Sequence, residues 1–374
     1  MYPPFPFESS RQLGAAVASV LLGFSAACGP EDPDPGETCV TAVIEGDGVR
    51  FNFVGYEGDE FCPSSFDAVE SHIQWVADAW GTVPSPISYA LFESREDPCW
   101  SCPAGAVGCA LDGRLATTRV PDHHELAHAA HGTNCSSLLE EGWATIYGDS
   151  FEDEVPTGTL REAMQGIEDG GRLAGEHYPL AALFMAFLLE TRGIEVVREL
   201  CTISLSDTTK LDAALLEVLG KSLDEVQAEL DEYPQWRTSN LRQDQACEGA
   251  DLFQPNPGPL TIELGCMAEG VEGKLGGRIE NQGLIELPEA GPYTFEFAAT
   301  EELEMLSIEL RNCERDGMGS IYYNQMLVHP KPGEPAVVLL YDYLPGVYVL
   351  RAMVEDSQGT SPDLAVEVTV SKWP

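Results

Sequence analysis

Apolar residues recur in two different periods along the chain, and the change of period divides it. In the first part, four apolar positions repeat at helical spacing between about residues 64 and 80, which predicts an amphipathic helix. These positions are Val69, Ile73, Val76 and Trp80. Short apolar runs at Val49–Val54 and Ile87–Phe92 predict strands on either side of this helix, and Leu115–Thr118 predicts a further strand.

Helical patterns dominate between about residues 119 and 250. An apolar run at 177–193 carries Pro179 at its first helical position and Gly193 after its last, which are typical limits of a helix. Further helices are predicted near residues 191–202, 209–219 and 223–232. A helical part is therefore expected to follow a small part that contains strands.

The period changes to that of strands after a proline-rich boundary at 251–259. Beyond it, four segments alternate or run apolar between turn residues. They are Tyr293–Phe297, Ala336–Tyr341, Val347–Val354 and Leu364–Val370. Such a succession predicts a β-sandwich over residues 251–374 and an α+β fold for the whole chain.

The net charge of the chain limits which classes of partner it can bind. The 374 residues include 62 Asp and Glu against 20 Lys and Arg, which gives a formal net charge of −42. Like charges repel, so this balance argues against nucleic acid or an anionic membrane surface as the main partner. The apolar share of 44% is that of a globular chain long enough for more than one core.

The N-terminal segment indicates export. An apolar stretch from Leu13 to Ala27 ends in small residues, which is typical of a secretory signal peptide at 1–27. Ser25-Ala26-Ala27-Cys28 resembles the lipobox of bacterial lipoproteins, which implies a lipid on Cys28 and an acidic tether at 28–38. The alternatives are an ordinary signal peptide cleaved near Ala27 and an N-terminal membrane anchor.

Cysteine usage agrees with an exported chain. Ten cysteines follow Cys28, and an even number in an oxidising compartment predicts up to five disulfides. Their order suggests the pairs Cys39–Cys62, Cys201–Cys247 and Cys266–Cys313. Cys99 and Cys102 form a CxxC motif, but no βαβ pattern surrounds it, and Cys109 and Cys135 are close enough in sequence to compete as partners. A thioredoxin-like redox site is therefore disfavoured.

The most specific motif is His124-Glu125-Leu126-Ala127-His128, an HExxH sequence of the kind found in zinc metalloproteases. Residues four apart share one face of a helix, so the imidazoles of His124 and His128 can bind one ion. Zn²⁺ suits such ligands and lowers the pKa of a bound water to roughly 7, and Glu125 is placed to take the water's proton. The flanking His123 and His131 are expected at the surface.

A catalytic zinc requires a third protein ligand. The metzincin continuation HExxHxxGxxH is excluded, because its glycine and last histidine positions hold His131 and Asn134. A second predicted helix, opened by serines at 136–137, offers Glu140 and Glu141. Both glutamates are candidates for the third ligand at this point.

Glu141-Gly142-Trp143-Ala144 resembles the EGxA segment of the gluzincin metallopeptidases, whose glutamate completes the zinc site. The resemblance implies that Glu141 is the third ligand, and the small residues Gly142 and Ala144 are expected to let this helix approach the HExxH helix. A later gluzincin helix begins at a tyrosine that donates its phenol to the oxyanion of the reaction intermediate. The matching residue is Tyr178, with His177 as its rival.

These features predict an exported zinc peptidase. Residues 39–250 are expected to form a gluzincin-like domain, and 251–374 an accessory β-sandwich. The substrate is expected to be a peptide or protein, and the resemblance implies that it pairs with the strand before the zinc helix, here Leu115–Thr118. The aminopeptidase GxMEN segment is absent before residue 122, which favours an endopeptidase.

Two further hypotheses concern the sandwich and the cell. The segment 344–351 resembles a repeated element of bacterial pre-peptidase C-terminal domains, and a sandwich of another family is the alternative. The expected location is the bacterial cell envelope, with the chain lipid-anchored or secreted. The competing function is a non-catalytic surface lipoprotein that binds protein or glycan on a gluzincin-like scaffold.

Overall fold

The structure is a computed structural model that describes most of the chain from residue 39 onward. The described residues are 39–46, 48–56, 61–83, 86–100, 102, 106–111, 113–131, 135–148, 156–170, 172–233, 247, 260–274, 277–303, 305–313, 324–355 and 364–373. The predicted signal peptide, tether and lipidation site at Cys28 lie outside these residues. No described helix has both the length and the apolar composition needed to cross a bilayer.

The first sheet has five strands in the order β1-β2-β3-β5-β4. They are β1 (Ala42–Glu45), β2 (Val49–Val54), β3 (Ile87–Phe92), β4 (Gly108–Leu111) and β5 (Arg114–Thr117). β2, β3 and β5 are parallel, whereas the edge strands β1 and β4 are antiparallel to their neighbours. The strand predicted at 115–118 is therefore present as β5, but it is an interior strand. The expectation that it pairs with substrate is wrong, because β3 and β4 already occupy both of its edges.

Helix α1 (Ser64–Trp80) covers this sheet with the apolar face that its spacing predicts. Val69, Ile73, Val76 and Trp80 are each at most 3% exposed. The helix ends at Gly81, whose φ of 73° lies in the left-handed region that favours glycine. Burial of this face against β2 and β3 forms one end of the larger core.

The remaining helices extend that core. They are α2 (His123–His131), α3 (Ser137–Tyr147), α4 (Leu160–Gly170), α5 (Tyr178–Arg192), α6 (Ile194–Cys201), α7 (Thr208–Leu219) and α8 (Leu223–Glu232). α5 is buried on all sides from Pro179 to Leu188, as expected for a helix that is apolar all round. The predicted end of α5 at Gly193 is confirmed, and the helix predicted at 191–202 is present as α6 with a later start, because Gly193 adopts a φ of 87° between the two helices.

The C-terminal part is a β-sandwich of two antiparallel sheets. Its strands are β6 (Leu260–Glu263), β7 (Glu272–Gly273), β8 (Arg278–Leu287), β9 (Gly291–Ala299), β10 (Leu306–Asn312), β11 (Asn324–Val328), β12 (Ala336–Tyr343), β13 (Gly346–Glu355) and β14 (Ala365–Lys372). One sheet has the order β11-β10-β13-β8-β7 and the other β12-β9-β14-β6. Alternate residues such as Phe295 and Phe297 are fully buried between them, while Glu296 is exposed.

Five disulfides join the ten cysteines that follow Cys28, which agrees with an extracellular or secreted protein. The pairs are Cys39–Cys99, Cys62–Cys266, Cys102–Cys109, Cys135–Cys201 and Cys247–Cys313. All three pairs suggested by sequence order are wrong. Order along the chain is a poor guide here, because the fold places cysteines that are distant in sequence side by side.

The start of α1 is attached to the sandwich. The Cys62–Cys266 disulfide joins residues 204 apart in sequence. Beside it, the Ser65 hydroxyl accepts a hydrogen bond from the Gly273 N–H at 2.8 Å and lies 3.2 Å from the Gly273 carbonyl. The division into domains at 250/251 stays a prediction, since that boundary lies outside the described residues.

Candidate metal centre

The turn that leads into α2 is held by a hydrogen-bond network around Asp122. The Glu125 N–H donates to the Asp122 carboxylate at 3.3 Å, which caps the helix, and the Thr117 hydroxyl donates to its other oxygen at 2.6 Å. The Asp122 N–H donates to the Tyr89 hydroxyl at 3.0 Å, which in turn donates to the Arg119 carbonyl at 2.7 Å. These bonds fix the position of the HExxH helix against the first sheet.

Three side chains converge on one point between α2 and α3. The Nε2 atoms of His124 and His128 lie 3.3 Å and 3.4 Å from Oε2 of Glu141. All three ligand atoms are within 4.8 Å of one another, and no other group of three His, Cys, Asp or Glu side chains in the described ranges comes this close. The three side chains keep 15%, 16% and 19% exposure, so the centre is partly accessible to solvent.

The separations suit a tetrahedral metal site. Zinc binds imidazole nitrogen and carboxylate oxygen at about 2.0–2.2 Å, so ligand atoms around a tetrahedral ion are about 3.3–3.5 Å apart. The distances from both His124 and His128 to Glu141 fall at this value. The donor set of two nitrogens and one oxygen, with an open side, is also that of a catalytic rather than a structural zinc. The residues present therefore fit the ion, although they do not identify it.

The structure brings Glu141, and not Glu140, into this group. Burial by itself raises the pKa of Glu141, but hydrogen bonds and charge from His124 and His128 outweigh burial and lower it overall. Glu140 faces elsewhere, and its carboxylate accepts the backbone N–H of Cys135. Burial raises the pKa of Glu140.

Two glycines let α3 pack closely on its neighbours. A Cβ built on Gly148, directly after α3, would lie 2.6 Å from the Cα of His124, so this glycine permits the approach to the HExxH helix. Gly142 was expected to serve that purpose, and this expectation is wrong. A Cβ on Gly142 would instead lie 2.5 Å from the Ala181 carbonyl oxygen, so this glycine faces α5.

Glu125 lies beside the three converging side chains in a confined space. A Cβ built on Gly108 of β4 would lie 2.8 Å from its Cγ, so the edge strand leaves room for this side chain only because residue 108 is glycine. Burial raises the pKa of Glu125 to about 7, and the charge of Asp122 adds to the effect. The charges of His128 and Arg119 act in the opposite direction.

Tyr178 reaches the centre, as its predicted role requires. Its ring is stacked on that of His124, with centroids 5.9 Å apart and an angle of 7° between the planes. Burial raises its pKa, as do the charge of Glu141 and a hydrogen bond to that carboxylate. His177 is not in the converging group, and its Nε2 lies 3.9 Å from Glu176. The roles of both residues stay predictions.

The histidines that flank the motif are buried, and their expected surface position is wrong. His123 and His131 are each 3% exposed. The His123 ring packs edge-on against His72 of α1 at 4.6 Å, and the His131 ring lies 5.2 Å from Trp80. α2 is covered by α1 as well as by α3, so residues outside the metal-facing stripe meet other helices instead of solvent.

Sequence reasoning missed several residues around the centre. Gly108 and Gly148 are ordinary glycines in the sequence, and only the close approach of other elements reveals their function. Arg119 and Arg172 are exposed, and their charges act on Glu125 and Tyr178. The two arginines could have been noticed from the sequence, because basic residues are scarce in so acidic a chain.

The chain is similar to several solved structures at low sequence identity. No protein-family model and no curated protein matches the sequence. The pre-peptidase C-terminal domain of a collagenase from Bacillus anthracis is similar at 13% identity, over 30% of this chain and 87% of that domain, with a TM-score of 0.20. A carbohydrate-binding module of Cellvibrio mixtus lichenase 5A, in complex with cellotriose, is similar at 10% identity, over 30% of this chain and 97% of that one, also at 0.20. Likenesses this weak carry no functional argument.

Proposed function

We propose that the protein is an exported, gluzincin-like zinc peptidase. The observation that supports this most is the convergence of His124, His128 and Glu141 at zinc-ligand separations, with Glu125 next to a ligand on the same helix. A purely structural metal site would have no use for an additional half-buried carboxylate beside an open face. A peptidase requires that group as a general base.

Each residue of the centre has a distinct role in this proposal. His124, His128 and Glu141 hold the ion. When bound, zinc would lower the pKa of a water molecule and polarise the carbonyl of the scissile peptide bond. Glu125 takes a proton from the attacking water and later gives it to the leaving amine. Tyr178, whose phenol is held beside Glu141, donates a hydrogen bond to the developing oxyanion.

The substrate is proposed to bind as an extended peptide along β4. This strand lies at one end of the sheet order, and no described strand pairs with its outer edge. Gly108 at its start lies directly against Glu125, so a peptide paired with β4 would pass the general base. In this proposal the edge strand β4 pairs with the substrate, which is the role that the sequence analysis assigned to β5.

Metal content and turnover, measured together, test this function. The wild-type protein should bind about one zinc per chain and hydrolyse peptide bonds in a generic protein substrate. Glu125→Gln should keep the zinc and lose turnover, whereas His124→Ala, His128→Ala or Glu141→Ala should lose both. Glu140→Gln is the matched control, because it neutralises a neighbouring carboxylate outside the group and should keep both properties.

Two results would count against the proposal. Full zinc without any turnover, over a proteome-derived peptide library, would favour the non-catalytic binding protein. Zinc that survives Glu141→Ala but not Glu140→Ala would move the third ligand by one residue.

We also propose that the chain is tethered to the cell envelope by a lipid on Cys28. The lipobox-like sequence supports the lipid attachment, and the five disulfides support export. Cys28→Ser should turn a detergent-partitioning protein into a water-soluble one. Detergent partitioning that persists in this variant would contradict lipid attachment.

The sandwich is proposed to be an accessory module, as in pre-peptidase C-terminal domains.

A further inference from the structure

Two exposed arginines are associated with the centre, in a chain with few basic residues. Most basic side chains in the described ranges form ion pairs with Asp or Glu. These are Arg50, Arg161, Arg192, Arg198, Lys210, Lys221, Arg278, Lys331, Arg351 and Lys372. Arg119 and Arg172 are exposed and have no ion-pair partner among the residues that the structure describes.

Arg119 is held on the Glu125 side of the centre. Its N–H donates to the Thr117 hydroxyl at 3.1 Å, and its carbonyl accepts the Tyr89 hydroxyl at 2.7 Å. The same network caps α2 through Asp122, so the backbone of Arg119 cannot move without disturbing the HExxH helix. The exposed guanidinium therefore extends from a fixed turn.

Arg172 is held on the Tyr178 side. The next residue, Leu173, is 5% exposed, and its N–H donates to the Ser137 hydroxyl at the start of α3 at 2.8 Å. The short helical turn Gly175–His177 then leads directly into Tyr178. Arg172 thus extends from a second anchored segment, next to the start of the helix that carries Glu141.

The electrostatic effects of the Arg119 and Arg172 guanidinium groups agree with these positions. Burial raises the pKa of Glu125, and the charge of Arg119 acts to lower it. Burial likewise raises the pKa of Tyr178, and the charge of Arg172 acts to lower it. A guanidinium presents donors in a fork that matches a carboxylate. A chain of net charge −42 repels acidic molecules in general, so two exposed cations beside the centre create a local exception.

We propose that Arg119 and Arg172 bind carboxylates of the peptide substrate and make the site selective for acidic peptides. This inference rests on the proposed peptidase function. The carboxylate can belong to an Asp or Glu side chain near the scissile bond or to the C-terminus of the peptide. Both sources present the same group to a guanidinium.

Matched peptides test the inference with the full-length, zinc-loaded protein. A peptide that is cleaved in a library digest is resynthesised with each nearby Glu replaced by Gln, and separately with an amidated C-terminus. For at least one acidic peptide, kcat/KM should be at least about tenfold higher than for its neutral analogue. The difference should lie mainly in KM, because the neutral analogue lacks one charge-assisted contact. The member of the series that shows the loss identifies the source of the carboxylate.

Arginine variants then assign the effect. Arg119→Gln and Arg172→Gln should each reduce the acidic-to-neutral ratio of kcat/KM several-fold, through a higher KM for the acidic peptide, with zinc content unchanged. Arg→Lys at the same positions should restore part of the ratio, because the charge remains. Arg114→Gln is the matched control, since this exposed arginine begins β5 at the end opposite to Thr117 and should leave the ratio unchanged.

The possible failures are distinguishable. A zinc-loaded wild type that cleaves no peptide overturns the proposed function and this inference with it. Cleavage with equal kcat/KM for acidic and neutral peptides overturns the inference alone. A preference for acidic peptides that both arginine variants retain would also overturn it, because other groups would then hold the carboxylate.

Discussion

Buried charge is neutralised in different ways in the helical part and in the sandwich. In the sandwich, Arg351 is 7% exposed and lies 2.5 Å from Glu280 and 3.6 Å from Glu309. Arg278 adds a contact to Glu280 at 2.7 Å. Among the described residues, two carboxylates thus meet two guanidinium groups, and their formal charges cancel.

The metal centre has no such balance. Glu141 contacts both imidazoles, Glu125 lies beside this group with the charge of Asp122 close to it, and the nearby arginines extend from exposed positions. Burying several carboxylates without cations is costly, and a divalent ion is one way to remove that cost. The comparison teaches that buried charge alone does not indicate a functional site. Charge that the protein leaves uncompensated, at an open position, is the more informative feature.

The largest expected effect comes from separating the two parts. Replacing both Cys62 and Cys266 by Ala opens a loop of 204 residues, and chain entropy predicts a loss of about 5 kcal/mol in the free energy of unfolding. The control is Cys102→Ala with Cys109→Ala, which opens a loop of 7 residues and should cost about 2 kcal/mol. Denaturant unfolding measures both. Equal losses would mean that the disulfide between the two parts does not restrict the unfolded chain as the model of loop closure assumes.

The next effect tests the compensated cluster in the sandwich. Arg351→Ala leaves Glu280 and Glu309 buried without their central cation, and should cost about 3–5 kcal/mol of stability. Arg161→Ala breaks an exposed ion pair with Asp224 and should cost less than about 1 kcal/mol. Zinc content should be unchanged in both variants. Loss of zinc in Arg351→Ala would show that the two parts are coupled and would remove the contrast between them.

At the metal centre, Tyr178→Phe removes the proposed oxyanion donor. Zinc binding and stability should change little, while kcat falls roughly 10²–10³-fold, which is the usual loss for one such donor. Single-turnover kinetics measures the chemical step directly. His177→Ala is the control, and a larger loss there would assign the donor to the preceding residue. Unchanged turnover in both variants would remove this segment from the catalytic group.

The smallest expected effect concerns the space around the general base. Gly108→Ala places a methyl group 2.8 Å from Cγ of Glu125, which must then shift. Displacement of a catalytic group by about 1 Å can cost up to roughly 10²-fold, so we expect kcat to fall tenfold or more with zinc retained. Gly166→Ala on α4 is the control, because its methyl group would meet no atom within 4 Å. Equal activity in both variants would show that Glu125 does not depend on this strand.

Local periodicity accounts for the elements that the sequence predicted well. The strands β2 and β3 and the helix α1 have their predicted limits, because alternation and helical spacing are properties of adjacent residues. The HExxH motif likewise encodes its own geometry, since a helix places residues four apart on one face. His124 and His128 could therefore be paired from the sequence, and Glu141 followed from a short motif on the next helix.

The errors lie where distant segments meet. His123 and His131 were expected at the surface, but α1 covers the side of α2 on which they lie. Sequence spacing shows which residues share a face of a helix, and it does not show how many faces other helices cover. The same reason explains Gly142, whose neighbour proved to be α5 and not the metal helix.

The sequence by itself determined the periods of strand and helix, the division into a helical part and a sandwich part, and the three residues of HExxH. Each of these depends on residues that are close together in the chain. Only the tertiary structure decided the five disulfide pairs, the edge position of β4, the close approach at Gly108 and Gly148, and the anchoring of Arg119 and Arg172 beside the centre. These features depend on contacts between segments tens to hundreds of residues apart, where any one local pattern is compatible with many packing arrangements.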